Sequence, residues 1–182
     1  MNIASKFDIA ALNLFVAASE GTVSTEHRME IFESVAGDLD LMVEALNALI
    51  VGHNARVYSG TLSAEKAFKS IKAEYKAIGF GEIVPFDCME GPLEMLYYRK
   101  SSDEIDMDHM FEIIQKMFQK NETCPNERIK CGVYQLALRT ITHYNLVAKD
   151  ISFSRQVIDK VNSYTQEQKD SALLPPAIVT EL

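Results

Sequence analysis

The chain has 182 residues, 47% of them hydrophobic and 24% charged, the balance of an ordinary folded protein, which excludes intrinsic disorder as its default state. With 18 lysines and arginines against 26 aspartates and glutamates, its net charge of −8 opposes general attraction to phosphate backbones and disfavours a nucleic-acid partner. No leader peptide can be read over Met1–Phe15 and no apolar run long enough for a membrane span follows, while three cysteines, an odd number, argue for a reducing, cytoplasmic setting rather than a disulfide framework.

In chain order, helical spacing first brings Phe7, Ala10, Leu14, Phe15 and Ala18 to one side of a segment from Lys6 to Ser19, which Gly21 ends. Ser24 or Thr25 then caps a long second helix running to about Val57. Its stripe holds Phe32, Val35, Leu39, Met42, Val43, Leu46, Leu49 and Ile50, with a kink at Gly37. Phe32 and Leu46 are therefore predicted to lie in the core. A third helix, Ser63 to Ile78, stops at Gly79. From Phe80 to Asp87 the pattern breaks, and Ile83 and Val84 suggest a connector or one short edge strand. Pro92 fits the first turn of a short helix, Leu93 to Lys100. Further helices are predicted over Asp106–Lys120, Asn126–Ala148 and Ser154–Gln168.

Residues 1–170 are thus expected as one all-α domain, a helical bundle or orthogonal helical array of about six helices with at most one short strand. Residues 171–182 are expected as an extended apolar tail, because Pro175 and Pro176 oppose helix.

The most organised polar feature is the acid row of the second helix: Glu26, Glu30, Glu33, Asp40, Glu44 and Asn47 fall within a sector of roughly 100° opposite the apolar stripe. Hard cations take several oxygen ligands, so Glu30, Glu33 and Glu44 are the candidate ligands for Mg²⁺. The alternative is a solvated outer face. Over about Glu26 to Phe68, the Glu30-x-x-Glu33 pair followed by Glu44 and Asn47 resembles the all-α nucleotide pyrophosphohydrolases of the MazG type. That resemblance implies a small Mg-dependent hydrolase. The chain departs from the pattern where Asn47 replaces an aspartate, and the short gap between Glu33 and Glu44 leaves no room for two antiparallel helices.

Other constellations are incomplete. Lys66, Lys69, Lys72 and Lys76 form a basic row without a glycine nest or aromatic platform. Cys124 and Cys131 lack a second ligand pair for zinc and read as buried, unreactive thiols. Asp106 and His109 are half of a carboxylate–histidine metal pattern whose other half is missing, so Asp106 is expected to serve the helix start. No motif of a nucleophile elbow, phosphate loop, zinc protease or dinucleotide site occurs. The N-terminal Leu12 to Gly21 stretch has some likeness to the first helix of LysR-type regulators, but Glu26, Glu30 and Glu33 stand where a basic recognition segment would follow.

The leading expectation is a non-catalytic protein-interaction factor, regulatory or assembly in kind, without a cofactor. It would act through helix faces, including the Met-rich Asp106–Lys120 segment, and through Leu173, Leu174, Pro175, Pro176, Ile178, Val179 and Leu182 of the tail. Its partner would be another protein or a second copy of itself. The Mg-dependent hydrolase is the alternative.

Overall fold

The computed structural model describes residues 5–83 and 86–180. Val84, Pro85 and Leu182, on which parts of the strand and tail expectations fall, lie outside them. The described residues contain helices and no strand, as the all-α reading expects. No helix among them is long and apolar enough to cross a membrane. Packing is concentrated in two compact units, Met1–Phe86 and Asp87–Leu182.

The first unit opens with α1 (Lys6–Glu20), whose start is closed by a reciprocal cap. The Asp8 amide donates to the Ser5 hydroxyl at 3.1 Å while the Ser5 amide donates to the Asp8 carboxylate at 2.8 Å. Two helices follow where one kinked helix is predicted: α2 (Thr25–Val35) and α3 (Leu39–Tyr58). Ala36 and Gly37 both take left-handed backbone, at φ 41° and 83°, and Asp38 recaps the chain by accepting from the Asp40 and Leu41 amides. Ile31 and Val35 turn inward from α2, and Phe32, predicted in the core, is 47% exposed. Leu46 of α3 is fully buried, as predicted.

The close pairing of α1 with α3 needs a glycine. A Cβ at Gly52 would stand 2.6 Å from the Ala18 Cβ and 2.8 Å from the Phe15 carbonyl oxygen. α4 (Ala64–Ala77) is capped by Ser63 and buries Ala67, Ile71 and Tyr75. Phe80–Ile83 forms a further helical turn, α5, where a strand or connector is predicted. The Tyr75 ring meets Phe80 and Phe86 edge-on, at centroid distances of 5.5 and 5.0 Å.

The second unit starts with α6 (Asp87–Ser101), which begins earlier than predicted and places Pro92 inside the helix. α7 (Met107–Asn121) approaches it at Gly91, where a Cβ would stand 2.7 Å from that of Met117. Two of the three methionines of α7 are core rather than a docking face: Met110 and Met117 are buried with Phe111, Ile113, Ile114 and Phe118, and Met107 is half-buried. α8 (Glu127–His143) stops sooner than predicted, because Asn145 turns left-handed at φ 58°. The last predicted helix divides into α9 (Ile151–Asn162) and α10 (Gln166–Asp170), the second recapped by Thr165. Phe153 of α9 packs edge-on against Phe111 and Phe118. Pro176 then opens a short helical turn, α11 (Pro176–Val179), instead of extending the chain, since a proline is accepted at the first helical position where no amide donor is needed.

Two predictions follow from the core of the first unit. Leu46→Ala should lose about 2–5 kcal/mol in denaturant unfolding, whereas Phe32→Ala should lose less than about 1 kcal/mol because its ring is half exposed. Equal losses would contradict the register described above. His53 of α3 is only 3% exposed and neither ring nitrogen has a hydrogen-bond partner. Burial, with the Arg56 charge adding to it and Glu74 opposing it, brings its pKa from 6.5 down to about 4. The unfolded chain therefore takes up a proton that the folded one refuses. Stability is full above pH 6.5 and falls as pH drops towards 4, by at most about 3 kcal/mol from this group. Melting curves across that window should show a smaller acid-side loss in His53→Leu than in the parent.

Candidate functional site

α2 has three distinct sides. Ile31 and Val35 face the core, Glu26, Glu30 and Glu33 form an exposed acidic row, and Met29 and Phe32 lie between them as uncovered apolar side chains. Met29 is 59% exposed. Beside them runs the end of α4, and the two elements enclose a groove of about 280 Å³ lined by Arg28, Met29, Phe32, Glu33, Ala77 and Gly79 among others.

Gly79 shapes this groove in two ways. Its φ of 85° is left-handed, which ends the α4 segment, and its missing side chain makes room for an aromatic ring. A Cβ there would stand 2.7 Å from the Phe32 Cε2. One turn before Phe32 on α2, Arg28 makes a two-point ion pair in which its Nε donates to Glu74 Oε2 at 2.9 Å and its Nη2 to Oε1 at 3.0 Å. With the Glu74 side chain only 14% exposed, this fork is sheltered from solvent and ties α2 to α4. Phe32 is thus set on a built floor, not on a loose surface.

The predicted metal ligands are not gathered. Glu30 and Glu33 are exposed on α2 and Glu44 is exposed on α3, and the break at Ala36–Gly37 separates the two helices. Glu33 pairs with Lys6 at 3.3 Å. Among the described residues no group of three or more histidines, cysteines, aspartates or glutamates is placed to hold a metal ion. In the basic row, Lys69 pairs with Glu65 in its own helix. Asp106 caps α7 by accepting from the Asp108 and His109 amides, and His109 stacks edge-on with Tyr98. Cys124 and Cys131 are free and buried, and Cys131 takes a contact from the Gln135 amide at 3.5 Å.

The tail residues lie against their own unit. The Leu173 amide donates to the Arg128 carbonyl at 3.0 Å, and the Arg128 Nε donates to the Ser171 carbonyl at the same distance. Gly132 of α8 lets the backbone of Leu173 come close, for a Cβ there would stand 2.5 Å from its carbonyl oxygen. Pro175 and Ile178 are buried, Leu173, Leu174 and Val179 are half-buried, and Pro176 is exposed. Leu174 and Val179 line a cleft of about 170 Å³ with Gln135 and Arg139 of α8.

Local spacing does not show the Phe32 groove, because its floor at Gly79 comes from a segment distant in the sequence. Gly37 followed by Asp38, a helix stop followed by a helix start, is the signal for two helices in place of one. No protein-family model matches the chain, and neither the curated proteins nor the solved structures yield a match.

Because the tail packs in cis, ending the chain after Asp170 should lower the melting temperature and leave the oligomeric state unchanged. Uncovering the site of Ile178 and Pro175 removes burial worth at least about 2 kcal/mol. Calorimetry and light scattering on the truncated and full chains check this together.

Proposed function

We propose that this chain is a non-catalytic interaction factor, regulatory or assembly in kind, that acts through a helix face and receives a basic amphipathic segment of another protein in the Phe32 groove. One observation carries the reading: an aromatic side chain and a methionine stand exposed over a shaped glycine floor, with an acidic row directly beside them. An aromatic anchor in a pocket is what concentrates binding energy at interfaces, and a methionine adapts to the shape of what it meets. Glu26, Glu30 and Glu33 supply the sign of the partner, since a segment carrying lysines or arginines next to its apolar face would match both surfaces at once. A half-exposed aromatic contributes less to folding than a buried one, and the exposed half of Phe32 is open to contact with a partner. Three free cysteines support a reducing, cytoplasmic setting for the factor.

The reading is tested with model peptides rather than an unidentified partner. A fluorescently labelled amphipathic peptide of leucine and lysine is titrated with the full chain, and a leucine–glutamate peptide of the same pattern serves as its control. The lysine peptide should bind, with affinity falling as salt rises, and Phe32→Ala should weaken it about tenfold, the usual scale for an anchor residue. Glu30→Gln with Glu33→Gln should weaken binding mainly at low salt. Equal binding of both peptides, or binding untouched by Phe32→Ala, would reject the groove as the docking site.

A further inference from the structure

α1 is apolar on two sides. Phe7, Ala10, Leu14, Ala17 and Ala18 are buried in the first unit. On the nearly opposite side, Ile9, Leu12 and Val16 stand 52%, 60% and 43% exposed. A helix with a second apolar side has a second surface to cover. The steps from Ile9 to Leu12, Val16 and Ser19 are three, four and three residues, the alternation of a short coiled-coil seam.

The residues that flank this seam carry a second pattern. Lys6, Asn13 and Glu20 recur at seven-residue intervals along one border of it, and all three are exposed. The lysine stands one heptad before the asparagine, and the glutamate one heptad after it. A second copy of α1 laid antiparallel, with the two-fold axis passing beside Asn13, therefore sets Lys6 of each chain against Glu20 of the other and Asn13 against its own equivalent. In the same register Leu12 of each copy meets Val16 of the other, and Ile9 meets Ser19. A foreign helix has no reason to carry this reversed order of charges, whereas a copy of the chain carries it by symmetry.

The surroundings suit that arrangement. Lys6 reaches Glu33 of α2 at 3.3 Å, and an ammonium with three donors has hydrogens left for a second carboxylate. Glu20 makes no ion pair among the described residues. Along the same border runs a groove of about 290 Å³, with Asn13, Val16, Glu20 and His27 among its lining residues, a recess for a side chain from the facing helix.

We propose that the Ile9–Leu12–Val16 face of α1 is a self-association surface on which two copies of this chain pair antiparallel through their first helices. The seam is short, so the interface falls at the small end of specific contacts and the pair forms reversibly with concentration. Ile9, Leu12, Val16 and Ser19 do not line the Phe32 groove, and the proposal does not depend on docking there.

The test uses the full chain in sedimentation equilibrium, from low micromolar to millimolar concentration, where monomer should pass into dimer. Leu12→Glu changes an exposed side chain and should keep the parent melting curve while staying monomeric throughout. Phe32→Ala should dimerise as the parent does. Lys6→Glu and Glu20→Lys should each weaken the dimer several-fold at low salt, and the two together should restore it. Asn13→Cys should be linked across the pair by a short bis-maleimide that leaves the parent, with its three buried thiols, unlinked. Should Leu12→Glu unfold the chain, the charge exchange decides in its place. A chain that stays monomeric at millimolar concentration, a dimer untouched by Leu12→Glu, a double charge variant no better than the single ones, or a dimer that does not link at position 13 would each overturn the proposal.

Discussion

The reversal at Ala36–Gly37–Asp38 divides one long helical stretch into two helices that share the core of the first unit. Two consecutive left-handed residues, one of them an alanine at φ 41°, are a local strain of order 1 kcal/mol that persists only if the surroundings demand it. The demand comes from both sides: Ile31 and Val35 of α2 and Met42, Leu46 and Leu49 of α3 are all buried, so both helices are anchored in the core on either side of the break. Asp38 repays part of the strain by satisfying two amides at the new helix start. Phe32 falls at the margin of the buried face of α2 set by Ile31 and Val35, and is left half-exposed.

Glycine sets the other close approaches. At Gly52 and Gly91 the absent side chain brings helix surfaces into contact within each unit, and at Gly132 it admits the tail backbone onto α8. At Gly79 the space is filled by a ring from a neighbouring helix that remains partly open to solvent. The first three positions serve packing alone. The fourth also makes a floor, and for that reason the groove around it differs from an ordinary depression between helices.

Much of the helix pattern was legible from local signals. The caps at Ser24, Ser63, Asp106 and Asn126, the stop at Gly79 and the burial of Leu46 follow from rules that act within a few residues. The failures have a common cause in contacts that spacing does not encode. Periodicity identified an apolar face on α7 but not that the face is already covered within its unit. The tail was correctly read as too apolar to stand idle, yet its helical turn depends on Pro176 falling at the first helical position beside α8. The acid row looked continuous only because a single helix was assumed. Divided between α2 and α3, it loses the shared face on which a metal reading depends.

What remains of the acid row gains meaning from its new neighbours. Met29 and Phe32 lie between the acidic row of Glu26, Glu30 and Glu33 and the buried side of α2, so both kinds of surface fall on adjacent sides of the same short helix. The two contributions differ in range. In the proposed docking, carboxylates at the surface would act over about 10 Å at moderate salt and guide encounter, whereas the apolar groove would act only on contact and set how long the partner stays. The Arg28–Glu74 fork keeps this division clean, because it neutralises the arginine within the groove wall and leaves the exposed glutamates of α2 to set the sign. A cationic segment lacking an apolar side should therefore meet this surface and leave quickly, and an apolar one lacking positive charge should arrive slowly; only their combination satisfies both.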